Sequence, residues 1–136
     1  MRVKYLKLIQ NLTQDLEKNL NKFQTVKFFR KDIVSYWIWF LVLEKHFDNN
    51  NNNNNNIESI IQNIPGELGS RPTLFKVIDI AVAKKYFIKV LDKKDKRKFN
   101  LIPSQQTVKE FEEWAKMLVN YVSMADKDIA DNKQNT

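Results

Sequence analysis

Apolar residues recur along the first part of the chain at the spacing of an amphipathic helix. Between residues 3 and 23 they follow intervals of four and three, which is a heptad-like pattern. One polar residue, Asn19, interrupts this seam, where it either fixes the register of paired helices or is solvated near a helix end. The predicted apolar seam consists of Tyr5, Ile9, Leu12, Leu16 and Phe23, widened by Leu6 and Leu20.

A second predicted helix, over residues 26–47, is apolar on nearly all sides. A helix without a polar face is either buried all round or covered by a partner. Its aromatic residues, among them Trp37 and Trp39, are typical of a core, with the lining of a ligand pocket as the alternative.

Eight consecutive asparagines, residues 49–56, follow this helix. They have no apolar side chain to bury and a poor helix propensity, which predicts a flexible loop over residues 48–56.

Beyond the asparagines, the pattern predicts a short helix, a turn and a longer helix. The short helix covers residues 57–64 and ends at Pro65 and Gly66, which are both stop signals. Ser70 or Arg71 then caps a helix that runs to about residue 85. Helical spacing places Lys76 near the centre of its outer face. The same spacing assigns Leu74, Val77, Ile78 and Ala81 to its inner face.

The remaining residues predict a hairpin and a last helix. Residues 86–91 and 98–102 are rich in β-branched and aromatic side chains, as strands are, and a charged turn joins them. Pro103 and Ser104 then lead into a helix that ends at about residue 128, with a tail over 129–136. This helix has two adjoining apolar rows, of which one packs inward and the other faces a second subunit, unless both are buried within the monomer. The row assigned to a second subunit is Trp114, Met117, Tyr121 and Met124.

The composition excludes several kinds of site. Cysteine is absent and there are only two glycines, so disulfides, thiolate zinc sites and glycine-rich phosphate loops are excluded. His46 is the single histidine, and we interpret it as a capping or surface residue. We therefore predict no catalytic site, no metal site and no cofactor. A small-molecule effector is possible, and the sequence does not identify it.

The positive charge is confined to one segment. Residues 71–98 contain ten Lys or Arg and three Asp, which accounts for the whole formal net charge of +7, while the rest of the chain is balanced. A focused positive field of this kind usually faces a polyanion, most commonly nucleic acid. A solvated basic face without a specific partner is the alternative.

The order of the predicted elements indicates how this charge is used. The chain is mainly α-helical with a small β-hairpin, and the order predicts a winged helix-turn-helix with long N- and C-terminal helices. In such modules the second helix enters the major groove and the wing lies on the backbone or minor groove. Lys76 would reach a guanine edge or a phosphate, and Ile80 either contacts a thymine methyl or packs on a neighbouring element. The predicted DNA-binding residues are Ser70, Arg71, Thr73, Lys76 and Ile80 of the helix and Lys93, Lys94, Asp95, Lys96, Arg97 and Lys98 of the wing.

The segment 71–98, followed by Leu101-Ile102-Pro103-Ser104, resembles the MarR-like winged-helix transcriptional regulators. In that family the wing has a tip of the type Asp-x-x-Asp-x-Arg, which reads Asp92-Lys93-Lys94-Asp95-Lys96-Arg97 here. The resemblance implies that Arg97 enters the minor groove, that Asp95 orients the wing by pairing with a basic residue, and that the terminal helices form a dimer. Lys85 or Tyr86 stands where the family usually has a glycine after the recognition helix, and Gln105 and Gln106 replace another near the last helix.

These features predict a homodimeric, sequence-specific regulator that binds double-stranded DNA in the cytoplasm, associated with the nucleoid. The alternative is a winged-helix module that binds an acidic protein or RNA. No membrane partner is expected, because the longest apolar stretch, residues 33–43, is too short to cross a bilayer. We expect one domain over 1–136, with a helical dimerisation and core segment at 1–47, helix-turn-helix and wing at 57–103, and a C-terminal helix at 104–128. The predicted dimerisation residues are Ile9, Leu12, Leu16, Trp114, Met117, Tyr121 and Met124.

Overall fold

The structure, a computed structural model, describes residues 2–48 and 56–134, and the side chains of residues 5–127 within those ranges. It confirms a mainly helical chain with one small antiparallel hairpin. The predicted asparagine loop lies outside the described residues except for its two ends, Asp48 and Asn56. The helices are α1 (Arg2–Asn19), α2 (Gln24–Phe29), α3 (Ile33–Phe47), α4 (Ile57–Gln62), α5 (Arg71–Ala83) and α6 (Gln105–Gln134), and the strands are β1 (Phe87–Leu91) and β2 (Phe99–Pro103).

The chain divides into two compact units. The first unit consists of Met1–Lys27 and Glu110–Thr136, and the second of Phe28–Lys109. The division falls inside residues 1–47, which the sequence predicts as a helical dimerisation and core segment. α1 therefore belongs to the first unit, whereas α3 belongs to the second.

The prediction of one helix over residues 26–47 is wrong, because the chain forms α2 and α3 with a break between them. Asp32 causes the break, since its backbone is extended and its carboxylate accepts a hydrogen bond from the Ser35 N–H at 2.8 Å. An aspartate in this position satisfies a free N–H at a helix start, which favours a new helix over continuation of the old one. Lys31 supports the cap, with its Nζ 2.7 Å from the Ser35 hydroxyl and 3.4 Å from the Asp32 carboxylate.

The first unit contains α1 and most of α6. α1 ends at Asn19, before the predicted end at residue 23, and the Asn19 side chain donates to the Asp15 carboxylate at 3.0 Å. α6 continues to Gln134, through most of the segment predicted as a tail. Glu110 of α6 accepts hydrogen bonds from the backbone N–H of Thr25 at 2.9 Å and from its hydroxyl at 2.7 Å. The carboxylate thus satisfies a free donor in the first turn of α2, where the helix dipole favours negative charge.

The core of the second unit is aromatic and aliphatic. The ring of Phe29 lies 5.8 Å from that of Trp39 and 4.8 Å from that of Phe87, so α2, α3 and β1 meet around it. The other buried side chains of this core include Ile38, Val42, Ile60, Ile78, Ala81 and Leu101. α3 is not buried all round, because Ile33 and Phe40 on its other face are exposed.

The hairpin follows α5 directly. β1 pairs with β2 in an antiparallel register that runs from Phe87 opposite Pro103 to Leu91 opposite Phe99. Phe87 and Leu101 anchor it in the core, while the outer end of β1 is exposed. Asn56 forms an additional antiparallel bridge with Asn100, which attaches the residue before α4 to the outer edge of β2.

Candidate nucleic-acid interface

The first turn of α5 is held by a hydroxyl cap. Of the two candidate caps, Ser70 is the one that acts, because its side chain accepts from the Thr73 N–H. The Ser70 and Thr73 hydroxyls are also 3.0 Å apart and share a hydrogen bond. Pro72 occupies the first turn, where a missing N–H costs nothing. These two predicted DNA-binding hydroxyls are therefore already engaged with each other at the exposed start of the helix.

α5 presents a mixed outer face that carries a free lysine. Leu74, Ile78 and Ala81 are buried and Val77 is half-buried, as the helical spacing predicts. Lys76 is exposed, and its ammonium group makes no hydrogen bond or ion pair within the described residues. Ile80, on the same outer side, is exposed as well.

The tip of the hairpin is shaped by two aspartates. Asp92 accepts from the Lys94 N–H at 3.3 Å, and Asp95 accepts from the Arg97 N–H at 3.1 Å. Such side-chain bonds to the backbone two residues further on stabilise turns. Asp95 also accepts from Arg97 Nε at 3.3 Å, so the only arginine of the tip is tethered to a carboxylate.

The lysines of the tip differ from Arg97, because no described carboxylate holds their ammonium groups. The ammonium groups of Lys93, Lys94, Lys96 and Lys98 form no hydrogen bond or ion pair in the part of the chain that the structure describes. All four side chains are exposed. Together with Lys76 they form a set of unneutralised cations in the second unit, which we call the free lysines.

A salt bridge joins the two helices that precede the hairpin. Arg71 Nη2 donates to Glu58 Oε1 of α4, and the guanidinium lies over the Phe75 ring with Cζ 5.2 Å from the ring centroid. The hydrogen bond from Arg71 and its positive charge hold the pKa of the Glu58 carboxyl below its ordinary value. The same hydrogen bond and the negative charge of Glu58 raise the pKa of Arg71. Both groups are therefore ionised at neutral pH.

Glu58 also borders a cleft between α4, α5 and the hairpin. The cleft has a volume of about 230 Å³ and is lined by Phe75 and Phe99 and by the cations Lys89, Arg97 and Lys98. Lys89 Nζ lies 3.7 Å from the Asp79 carboxylate and 5.9 Å from the centroid of the Phe99 ring. Three carboxylates, those of Glu58, Asp79 and Asp95, thus each hold one cation of the basic segment.

The pattern of the sequence did not identify the partners in these contacts. Glu58, Phe75, Lys89 and Phe99 were not among the predicted site residues. Glu58 and Arg71 are separated by a turn whose path no periodicity specifies, so their salt bridge depends on the tertiary fold. The role of Asn56 as a helix cap does have a signal in the local sequence, because asparagine is a common residue just before a helix. In the structure its side chain accepts a hydrogen bond from the Ser59 N–H at 2.8 Å.

The predicted dimerisation residues have different exposures. Ile9, Leu12, Leu16 and Met124 are exposed, and Ile9 is 59% exposed. Met117 and Tyr121 are half-buried, and burial together with the negative charge of Asp15 raises the pKa of the Tyr121 phenol. Trp114 differs from the prediction, because it is only 5% exposed within the protomer and its ring is not offered to a second chain.

Among the described side chains, those of residues 5–48 and 56–127, no three of His, Asp or Glu are grouped so as to hold a metal ion. No helix in these ranges combines the length and apolar character that spanning a bilayer requires.

Comparison with known proteins finds no protein-family model, no characterised protein and no solved structure that matches this chain. The resemblance to MarR-like regulators therefore stays a prediction from the residues quoted above. What the structure establishes is the fold class, which is mainly helical with a two-stranded antiparallel hairpin in the described residues.

Proposed function

We propose that this chain is a sequence-specific DNA-binding transcriptional regulator of the winged-helix type that acts as a homodimer. The observation that carries the proposal is the location of the free lysines. They lie on the outer face of α5 and on the tip of the hairpin that follows it, two adjacent elements of one compact unit. Unneutralised cations concentrated in one region attract a polyanion and release its counterions on binding.

The order of elements in the second unit supports double-stranded DNA as that polyanion. α3, the bridge at Asn56, α4, α5, β1 and β2 follow one another as helix, short strand, two helices and a two-stranded wing do in winged-helix domains. In that arrangement α5 is the recognition helix, and its length of 13 residues is sufficient to lie in a major groove. Lys76 then faces the bases or phosphates, and the tip lysines face the adjacent backbone.

The first unit supports the dimer. The seam of α1 exposes apolar side chains at successive turns, among them Tyr5, Ile9 and Leu16. A continuous apolar seam on an amphipathic helix is the kind of surface that a second helix covers. A dimer also brings two recognition helices to two half-sites, which is how helix-turn-helix proteins read palindromic DNA.

A binding titration at several salt concentrations tests the proposed function. The purified protein is titrated with a duplex of random sequence and, separately, with a single-stranded RNA and an acidic polypeptide. We expect duplex binding whose log affinity falls linearly with log salt, by about 0.9 for each phosphate contact. Tighter binding to the RNA or to the polypeptide than to any duplex would contradict the proposal and favour the interaction module.

A further inference from the structure

The guanidinium of Arg71 is held from two sides, unlike the ammonium groups of the free lysines. The Glu58 carboxylate contacts Nη2, and the Phe75 ring lies under the guanidinium at 5.2 Å from Cζ. One contact comes from α4 and the other from the next turn of α5, so both helices restrict the side chain. A side chain that is already ordered loses less conformational entropy when it binds a ligand.

The chemistry of this group suits recognition of a base or phosphate. A guanidinium carries five N–H donors in a planar fork. Only Nη2 is used for a hydrogen bond within the described residues, so donors remain for a ligand. An arginine with a fixed plane donates two parallel hydrogen bonds to O6 and N7 of a guanine, or to two phosphate oxygens. Arg71 is the first residue of α5, the end of a recognition helix that lies nearest the bases.

Besides holding Arg71, the negative charge of Glu58 is expected to weaken the binding of DNA phosphates. Glu58 borders the same cleft as the cations Lys89, Arg97 and Lys98. A carboxylate among these cations repels the phosphates of every duplex equally, whereas an oriented arginine favours only those duplexes that carry the matching acceptors. We therefore expect Glu58 to lower the affinity for all duplexes and to raise the discrimination between them.

We propose that Glu58 is a positioning residue, which orients Arg71 and so increases the preference of this protein for one DNA sequence over others. This inference rests on the proposed function. It adds a role for Glu58, an acidic residue. Glu58 would influence sequence preference through Arg71 without contacting DNA itself.

The matched variants Glu58→Gln and Glu67→Gln test the inference. Each removes one negative charge from an exposed side chain, but Glu67 lies in the turn between α4 and α5 and forms no ion pair among the described residues. Binding constants are measured for the duplex that the wild-type protein selects and for a scrambled duplex. We expect Glu58→Gln to bind the scrambled duplex more tightly than wild type and to reduce the ratio of the two affinities about fivefold or more. Glu67→Gln should leave that ratio within about twofold of wild type.

A double-mutant cycle shows whether the effect passes through Arg71. In an Arg71→Ala background, Glu58→Gln should leave the affinity ratio unchanged, because no guanidinium remains to be oriented. The inference is overturned if Glu58→Gln and Glu67→Gln change the ratio equally, or if Glu58→Gln reduces it by the same factor without Arg71. A wild-type protein without any sequence preference would overturn the proposed function, and the inference with it. A wild-type preference whose affinity ratio Glu58→Gln leaves unchanged would overturn the inference alone.

Discussion

Lys85 has a φ of 64°, in the left-handed region that residues other than glycine rarely adopt. The position follows from how α5 ends. The Tyr86 N–H donates to the Ala81 carbonyl at 2.9 Å and the Lys85 N–H to the Val82 carbonyl at 3.0 Å. These two bonds are those of a Schellman motif, which requires a left-handed residue just beyond the helix and is most often completed by glycine. Lys85 thus bears backbone strain in order to turn the chain into the hairpin.

Replacement of Lys85 should reveal this strain as a difference in stability. Lys85→Gly removes the clash of Cβ with the backbone, so we expect it to be more stable than Lys85→Ala by about 1 kcal/mol. Both variants lose the same charge and most of the side chain, which makes alanine the matched control. Urea denaturation followed by circular dichroism measures the difference. Equal midpoints for the two variants, or a lower one for glycine, would mean that the turn is not strained.

At the scale of elements, local signals explain most of the fold. The two β-rich runs, the stop at Pro65 and Gly66 and the cap at Ser70 predicted the hairpin, α4 and α5 correctly to within a few residues. The break between α2 and α3 was missed because the apolar run hides the cap at Asp32, which is a competing local hydrogen bond. The Asn56 bridge and the Glu58–Arg71 pair join residues distant in sequence. Pairing of that kind depends on tertiary packing, which hydrophobic periodicity does not encode.

The helix and the hairpin should make separable contributions to DNA binding. We expect Lys76→Ala to weaken binding to the selected duplex and to change the base preferred at one position, with a loss of about 1–3 kcal/mol in discrimination. Arg97→Ala combined with Lys98→Ala should instead weaken all duplexes and lower the salt slope by about 2, one for each lost phosphate contact. Competition binding against a panel of single-base variants measures both effects. If the two proteins lose affinity in the same sequence-independent manner, Lys76 does not read a base.

At the scale of the whole molecule, the feature that needs explanation is the row of exposed apolar side chains on α1 in the first unit. α1 was predicted from its seam as one side of a dimer interface, and in the structure Ile9, Leu12 and Leu16 are exposed in the single protomer. The sequence identified the seam because helical periodicity is a local property. It did not predict that Trp114 would be buried, because the two rows of α6 are both apolar and only packing determines which one is covered.

The proposed homodimer predicts the molecular mass in solution. Light scattering at tens of micromolar should give about twice 16.2 kDa for the wild-type chain. Ile9→Glu with Leu16→Glu places two charges in the seam and should yield a folded monomer, because burying unpaired carboxylates costs several kcal/mol. Gln10→Glu with Gln14→Glu adds the same charges on another side of α1 and should remain a dimer. A wild-type protein that is monomeric at this concentration would contradict the prediction.

Selection of duplexes from a random library by the purified chain of 136 residues tests the central claim most directly. It examines double-stranded DNA binding, base preference and symmetry in one experiment. We predict enrichment of a palindromic sequence whose half-sites are separated by about 10 base pairs from centre to centre, or by a multiple of that distance. Recovery of a library with no enriched sequence, although the protein retains duplexes at low salt, would show that the free lysines bind phosphate without reading bases and would contradict the account.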